Sequence, residues 1–199
     1  CIGVQRIYIH RDVYDEFKRL FVERTRAYTI GNKLDEATDM GPMINEGEAR
    51  RVERWVADAV EKGATVLAGG SRDRALMQPT VLEDVPKIDT IHQQEVFGPT
   101  VNLYAVDNLD EAIAEANSVD YGLHAAGFSR DAETCHRLIQ GLDAGSVLIN
   151  DSTDYRLDSM PFGGVKNSGL GREGIRFSLA EMTEPKVVCW YLPGLAETR

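Results

Sequence analysis

The chain has 199 residues, 43% of them hydrophobic, and a formal net charge of −10. That size and apolar content suit a single large core, while the acidic balance argues against nucleic acid or an anionic membrane surface as a partner. No apolar run approaches the ~20 residues of a spanning helix, and no secretory signal opens the chain.

The first residue is Cys1 rather than Met, which reads as an excised piece of a longer chain. Val4 to His10 is predicted to be a strand, being rich in β-branched and aromatic residues. Asp12 is a candidate cap for a helix whose apolar positions Val13, Phe17, Leu20 and Phe21 share one face, with Gly31 closing it. A second helix is expected from Asn45, where N-E-G-E offers a capping-box-like pattern with Glu48. Its inward stripe is Ala49, Val52, Val56, Ala59 and Val60, and Gly63 sits at the position that ends it.

Thr65 to Ala68 and Pro79 to Leu82 are short strand candidates on either side of Gly69-Gly70. After E-V-F-G-P (Glu95 to Pro99) follow a strand Thr100–Val106 and a helix Leu109–Ala116, with Asp107 as its expected cap. Ala112, Ile113 and Ala116 are predicted to face inward. Ala125 to Phe128, Asp131 to Gln140 and Ser146 to Ile149 read as strand, helix and a strand buried on both faces. Repeated βα units imply an α/β fold with a mostly parallel open sheet covered by helices. Pro185 to Leu192 is β-prone and has nothing after it to cover its edge, which invites pairing with another chain.

Chemistry-bearing patterns are few. Cys1, Cys135 and Cys189 form neither a disulfide framework nor a metal spacing, and their odd number fits a reducing, cytoplasmic setting. His10, His92, His124 and His136 lie in separate elements, and none is assigned a metal or base role. Neither the P-loop nor the G-x-G-x-x-G fingerprint is present. The densest signal is Pro161 to Glu173, P-F-G-G-V-K-N-S-G-L-G-R-E, with four glycines in thirteen positions. Glycine at that density marks a shaped loop that something packs against closely. Within it Lys166 is read as a solvated lysine or else one paired with a carboxylate, and upstream Asn117 as a structural cap.

Cys1, Glu95–Pro99 and Pro161–Glu173, in this order and at these separations, resemble the aldehyde dehydrogenase superfamily, and the likeness runs from Cys1 to about Trp190. The resemblance implies a catalytic domain at 1–184 and a C-terminal oligomerisation strand and tail at 185–199. It implies Cys1 as the nucleophile that attacks an aldehyde carbon, giving a thiohemiacetal and then a thioester that water hydrolyses. Glu95 would bind the ribose hydroxyls of a nicotinamide cofactor, NAD or NADP, and Phe97 would pack near its ring. Asn150, Tyr155, Arg156 and Phe162 would line the tunnel that the aldehyde uses, at the C-terminal end of a strand, where open α/β sheets bind ligands.

Arg156 is suited to a carboxylate, phosphate or phosphonate on the substrate, or else pairs with Asp151, Asp154 or Asp158. The Y-R-x-D-x-M-P-F-G-G-V-K pattern is similar to members acting on lactaldehyde or anionic short aldehydes. The family's cofactor-binding domain, its general-base glutamate and its oxyanion asparagine have no counterpart here. The expected role is therefore the catalytic half of a homo-oligomeric NAD(P)-dependent enzyme (dimer or tetramer), feeble or inactive by itself. A self-association module without turnover and a CoA-acylating relative are the alternatives.

Overall fold

A computed structural model describes residues 1–192 of the chain. Strand β1 (Arg6–His10) leads directly into helix α1 (Arg11–Arg26). The His10 side chain, not Asp12, caps this helix by accepting from the Asp12 backbone N–H at 3.3 Å, and Asp12 lies in the first turn. The helix ends at Arg26, before Gly31, with Ala27 as its C-cap. Helix α2 (Glu46–Glu61) begins where expected, with the Asn45 side chain accepting from Glu48 N–H at 2.9 Å. The Glu48 carboxylate turns to Arg51 at 2.7 Å. Beyond α2, Gly63 takes a φ of 109°, a left-handed value that a glycine adopts without strain.

Next come β2 (Thr65–Ala68), the hairpin β3 (Arg72–Asp73) and β4 (Leu76–Met77), β5 (Thr80–Glu83), α3 (Thr90–Gln93) and β6 (Thr100–Val106). The hairpin has no expectation in the sequence reading; each strand is only two residues long. The central sheet has the order β1-β6-β5-β2, with β1, β6 and β5 parallel and β2 antiparallel on the edge. Side-chain alternation sends neighbouring residues to opposite faces. Val81 and Leu103 join Ile9 and Ala68 under Tyr14, Phe17, Phe21 and Val22 of α1. Leu82 joins Met77, Ile91 and Val96 under Val52, Val56 and Ala59 of α2. Both faces are thus helix-covered, and a fully buried Leu82 or Ile91 contributes about 2–3 kcal/mol by leaving water.

Two details of the inward faces differ from expectation. On α1, Val13 and Leu20 point to solvent at 52% and 42% exposure, and Tyr14 and Val22 take their place. On α2, Val60 is likewise exposed. Both helices have apolar arcs wider than the sheet can cover, so docking selects part of each arc.

The second half of the chain continues with α4 (Leu109–Ala116), β7 (Tyr121–Gly122), β8 (His124–Gly127), α5 (Ala132–Gly141), β9 (Ser146–Ile149), β10 (Val165–Lys166) and α6 (Ile175–Glu181). Asn108 rather than Asp107 caps α4, accepting from Glu111 N–H at 2.9 Å, while Asp131 caps α5. Strands β8 and β9 form a parallel pair, and β10 pairs antiparallel with β7. Only Leu148 of β9 is buried, so this strand does not have two covered faces in the single chain.

Pro185–Leu192 forms no strand in the single chain, contrary to its β-prone composition. It runs unpaired, with Val187, Trp190 and Tyr191 at 90%, 84% and 75% exposure. A strand needs a partner edge for its N–H and C=O groups, and none of the described residues supplies one to this segment. The expected tail beyond 192 lies outside the described residues.

Candidate active site

Cys1 is exposed, with its thiol outside any disulfide. The segment that follows is held on two sides. Ile2 offers its carbonyl to Thr153 Oγ1 at 2.5 Å, a contact that joins the start of the chain to the loop after β9. Gln5 reaches the other way. Its Nε2 donates to the carbonyls of Gln94 (2.8 Å) and Ile91 (3.1 Å), and its Oε1 accepts from Val96 N–H at 2.9 Å. Its backbone carbonyl accepts from Asn102 N–H at 2.8 Å.

The E-V-F-G-P segment is therefore fastened to the strand that follows Cys1. Val96 is buried at 1% exposure, and its carbonyl accepts from Arg51 Nη2 at 2.6 Å. Glu95 and Phe97 flank it and both face solvent. Phe97 has a φ of 50°, a left-handed conformation that costs a non-glycine residue energy and persists where the surroundings enforce it. Gly98 then passes so close to α2 that a Cβ there would lie 2.8 Å from Val52 Cγ2. Among the described residues the Glu95 carboxylate has no hydrogen-bond or ion-pair partner, and the Phe97 ring is 65% exposed. A free carboxylate beside an uncovered aromatic ring suits a ligand carrying both hydroxyls and a planar ring.

The loop after β9 assembles around Phe162. Its backbone exchanges two hydrogen bonds with Glu173, at 2.9 and 2.6 Å, closing the glycine-rich run into a hairpin-like loop. The His124 ring meets Phe162 edge-on at 5.2 Å, and His124 Nδ1–H donates to the Thr153 carbonyl at 2.8 Å. The Arg156 guanidinium lies over the Phe162 ring at 4.1 Å and 3.7 Å from the Glu173 carboxylate. Arg156 thus pairs with Glu173, not with Asp151, Asp154 or Asp158. That pair is exposed and worth little in water, so the guanidinium can exchange it for a better anion.

Tyr155 is 46% exposed. Asn150 differs from the other loop residues: its Nδ2 donates to Ser129 O and its Oδ1 accepts from Ser129 N–H, both at 2.9 Å. With both ends of the amide engaged, and with a φ of 59°, Asn150 shapes the turn out of β9.

Close packing holds the glycine-rich run against the rest. A Cβ on Gly145 would lie 1.6 Å from the Gly163 carbonyl oxygen, so these two backbones can approach only as glycines do. Lys166 is exposed but tethered: its ammonium donates to the carbonyls of Asn117 (2.7 Å) and Val119 (3.2 Å), at the end of α4, and lies 3.7 Å from the Asp143 carboxylate. Asn117 is the C-cap of α4, and its side chain also braces Gly141 O and Asp143 N–H. Away from this region, burial pushes the His92 imidazole down to about 4, helped by the nearby Arg6 charge. His92 is thus neutral at physiological pH, and shares a 2.7 Å hydrogen bond with the Tyr104 hydroxyl.

Three contributors to this geometry, Gln5, Thr153 and His124, go unassigned in the sequence reading. Gln5 and Thr153 are ordinary polar residues in sequence, and only their distant partners reveal what they hold.

Residues 1–188 match the profile of the aldehyde dehydrogenase family. The chain belongs to that family. The 3-sulfolactaldehyde dehydrogenase of Priestia aryabhattai is 44% identical over 188 residues, which is 94% of this chain and 39% of that protein. The crystal structure of aldehyde dehydrogenase 21 from Physcomitrella patens, in complex with the reaction product succinate, superposes with a TM-score of 0.95 at 40% identity, covering 98% of this chain and 40% of that one. The glyceraldehyde-3-phosphate dehydrogenase of Methanocaldococcus jannaschii, complexed with NADP, gives 0.87 at 42% identity over 92% of this chain and 40% of its own. The chain thus spans about two fifths of the length of these aldehyde dehydrogenases.

Proposed function

We propose that the chain is the catalytic portion of an NAD(P)-dependent aldehyde dehydrogenase that oxidises a short, anionic aldehyde to its acid. One observation carries the reading. The segment after Cys1 is tied by Thr153 to the Arg156–Phe162 loop and by Gln5 to the Glu95–Phe97 segment. A nucleophile, an anion-binding loop and a candidate cofactor grip are thereby held to one short stretch of backbone.

In this reading the Cys1 thiolate adds to the aldehyde carbon and the resulting thiohemiacetal is oxidised to a thioester. Water then releases the acid and restores the thiol. The nicotinamide, when bound, supplies the hydride acceptor. The Glu95 carboxylate can accept from two ribose hydroxyls, and the Phe97 ring offers a flat apolar surface to the base. Arg156, braced on Phe162, receives the substrate's anionic end through charge-assisted hydrogen bonds. The relatives named for 3-sulfolactaldehyde and glyceraldehyde 3-phosphate, and the one holding succinate, support an anionic substrate.

The complete enzyme should reduce NAD or NADP in the presence of such an aldehyde. Arg156→Ala should raise KM for the anionic aldehyde roughly tenfold to a hundredfold and leave KM for a neutral aldehyde of equal length almost unchanged. Equal effects on both would assign Arg156 to loop structure, and no aldehyde-dependent reduction of either cofactor would remove the reading.

The exposed segment Pro185–Leu192 joins the sheet of a second copy, which satisfies its backbone and covers Val187, Val188 and Trp190. Deleting 185–199 from the complete enzyme should therefore convert a dimer or tetramer to monomer in light scattering. An unchanged mass would place the oligomer contact elsewhere.

A further inference from the structure

We infer that Gln5 is a positioning residue that sets the cofactor grip, an inference that rests on reading Glu95 and Phe97 as cofactor-binding. Gln5 is half-buried and stands four positions beyond Cys1. Its side-chain amide makes three hydrogen bonds to the 91–96 segment: two donated, to Ile91 O and Gln94 O, and one accepted, from Val96 N–H. Gln94 and Val96 are the immediate neighbours of Glu95, so one amide group holds the backbone on both sides of that carboxylate.

Glu95 itself is unpartnered among the described residues, and its own side chain therefore does not fix its place. The next residue but one, Phe97, sits in a strained left-handed conformation, which requires enforcement from outside. Other contacts also hold the segment: Arg51 grips the Val96 carbonyl, Asn102 Nδ2 donates to Ile91 O at 3.1 Å, Asp89 Oδ1 accepts from Ile91 N–H at 3.0 Å, and the Tyr121 hydroxyl donates to Gln94 Oε1 at 3.2 Å. Among the described residues, only Gln5 joins it by hydrogen bonds to the stretch that carries the candidate nucleophile. A side chain with both a donor and an acceptor at its tip is required, which Gln supplies and neither an ionised Glu nor Met does.

The test is dinucleotide binding to the complete enzyme, read by fluorescence of NADH or NADPH, for Gln5→Met, Glu95→Gln and the double variant. Gln5→Met should weaken binding about tenfold, as expected for the loss of several net hydrogen bonds. Because Gln5 acts through Glu95, the double variant should bind within about twofold of the weaker single variant. A Kd for Gln5→Met within twofold of wild type, or fully additive losses, overturns the inference while a weakened Glu95→Gln leaves the cofactor reading standing. A Glu95→Gln variant with unchanged affinity overturns both.

Should Gln5→Met fail to fold, Gln5→Glu supplies a readout that a merely structural role would not move. The introduced carboxyl faces the carbonyls of Ile91 and Gln94, and only its protonated form can donate to one of them. Its affinity should improve on going from pH 8 to about pH 5.5, relative to a wild-type control over the same range. A profile parallel to wild type overturns the inference.

Discussion

Cys1→Ala in the complete enzyme is expected to abolish aldehyde oxidation, with a loss on the order of ten-thousand-fold or more, as for other removed nucleophiles. The thiol is exposed, so its removal opens no cavity and the melting temperature should hold. Neither remaining cysteine can stand in. The Cys135 Sγ lies 3.6 Å from Ser129 O, on helix α5, and Cys189 lies in the unpaired C-terminal segment. The measurement is steady-state turnover alongside cofactor binding. Intact binding with lost turnover places Cys1 in the chemical step, whereas retained turnover would mean that another group attacks the aldehyde.

Gly145→Ala should be the most damaging single-carbon addition in the loop region. The added methyl would sit 1.6 Å from the Gly163 oxygen, 2.7 Å from its carbonyl carbon and 3.1 Å from Gly164 Cα. All three are backbone atoms, so no rotamer change relieves the clash. Either the turn before β9 or the start of the glycine-rich run must move. The expected cost is about 3 kcal/mol or more, a fall in melting temperature of roughly 6–12 °C for a chain this long. Displacement of the Gly163 backbone should also carry Phe162, and with it the platform under Arg156, so KM for an anionic aldehyde should rise. Gly3→Ala, whose methyl would meet nothing within 4 Å, is the control for stability. A melting temperature for Gly145→Ala within about 2 °C of wild type would show that the two backbones separate easily.

The local grammar of the chain settled much of the fold. The inward stripe Ala49, Val52, Val56 and Ala59 with Asn45 in front and Gly63 behind leaves little freedom for α2, because a 3.6-residue period and both end signals agree. The strands at Val4–His10, Thr100–Val106 and Ser146–Ile149 were legible from composition, although the first begins two residues later, at Arg6, and so was the family, from Cys1, E-V-F-G-P and the glycine-rich run. The caps were read less well: Asp12 and Asp107 carry the favoured side chains, yet His10 and Asn108 take the cap positions of α1 and α4 and leave Asp12 inside the first turn.

Tertiary structure alone decided how the site is assembled. Whether Tyr14 or Val13 faces inward depends on how α1 lies on a twisted sheet, not on the width of its apolar arc. Thr153 finds Ile2 across 151 positions and Gln5 finds Gln94 across 89; propensity and periodicity record only neighbours within a few residues, so neither contact leaves a mark in the sequence. Arg156 chose Glu173 over three nearer aspartates because the loop closes through Phe162 and Glu173. The chain's local rules build the elements and name their family, and the long-range hydrogen bonds and backbone contacts then fix where the candidate nucleophile, anion loop and cofactor grip stand relative to one another.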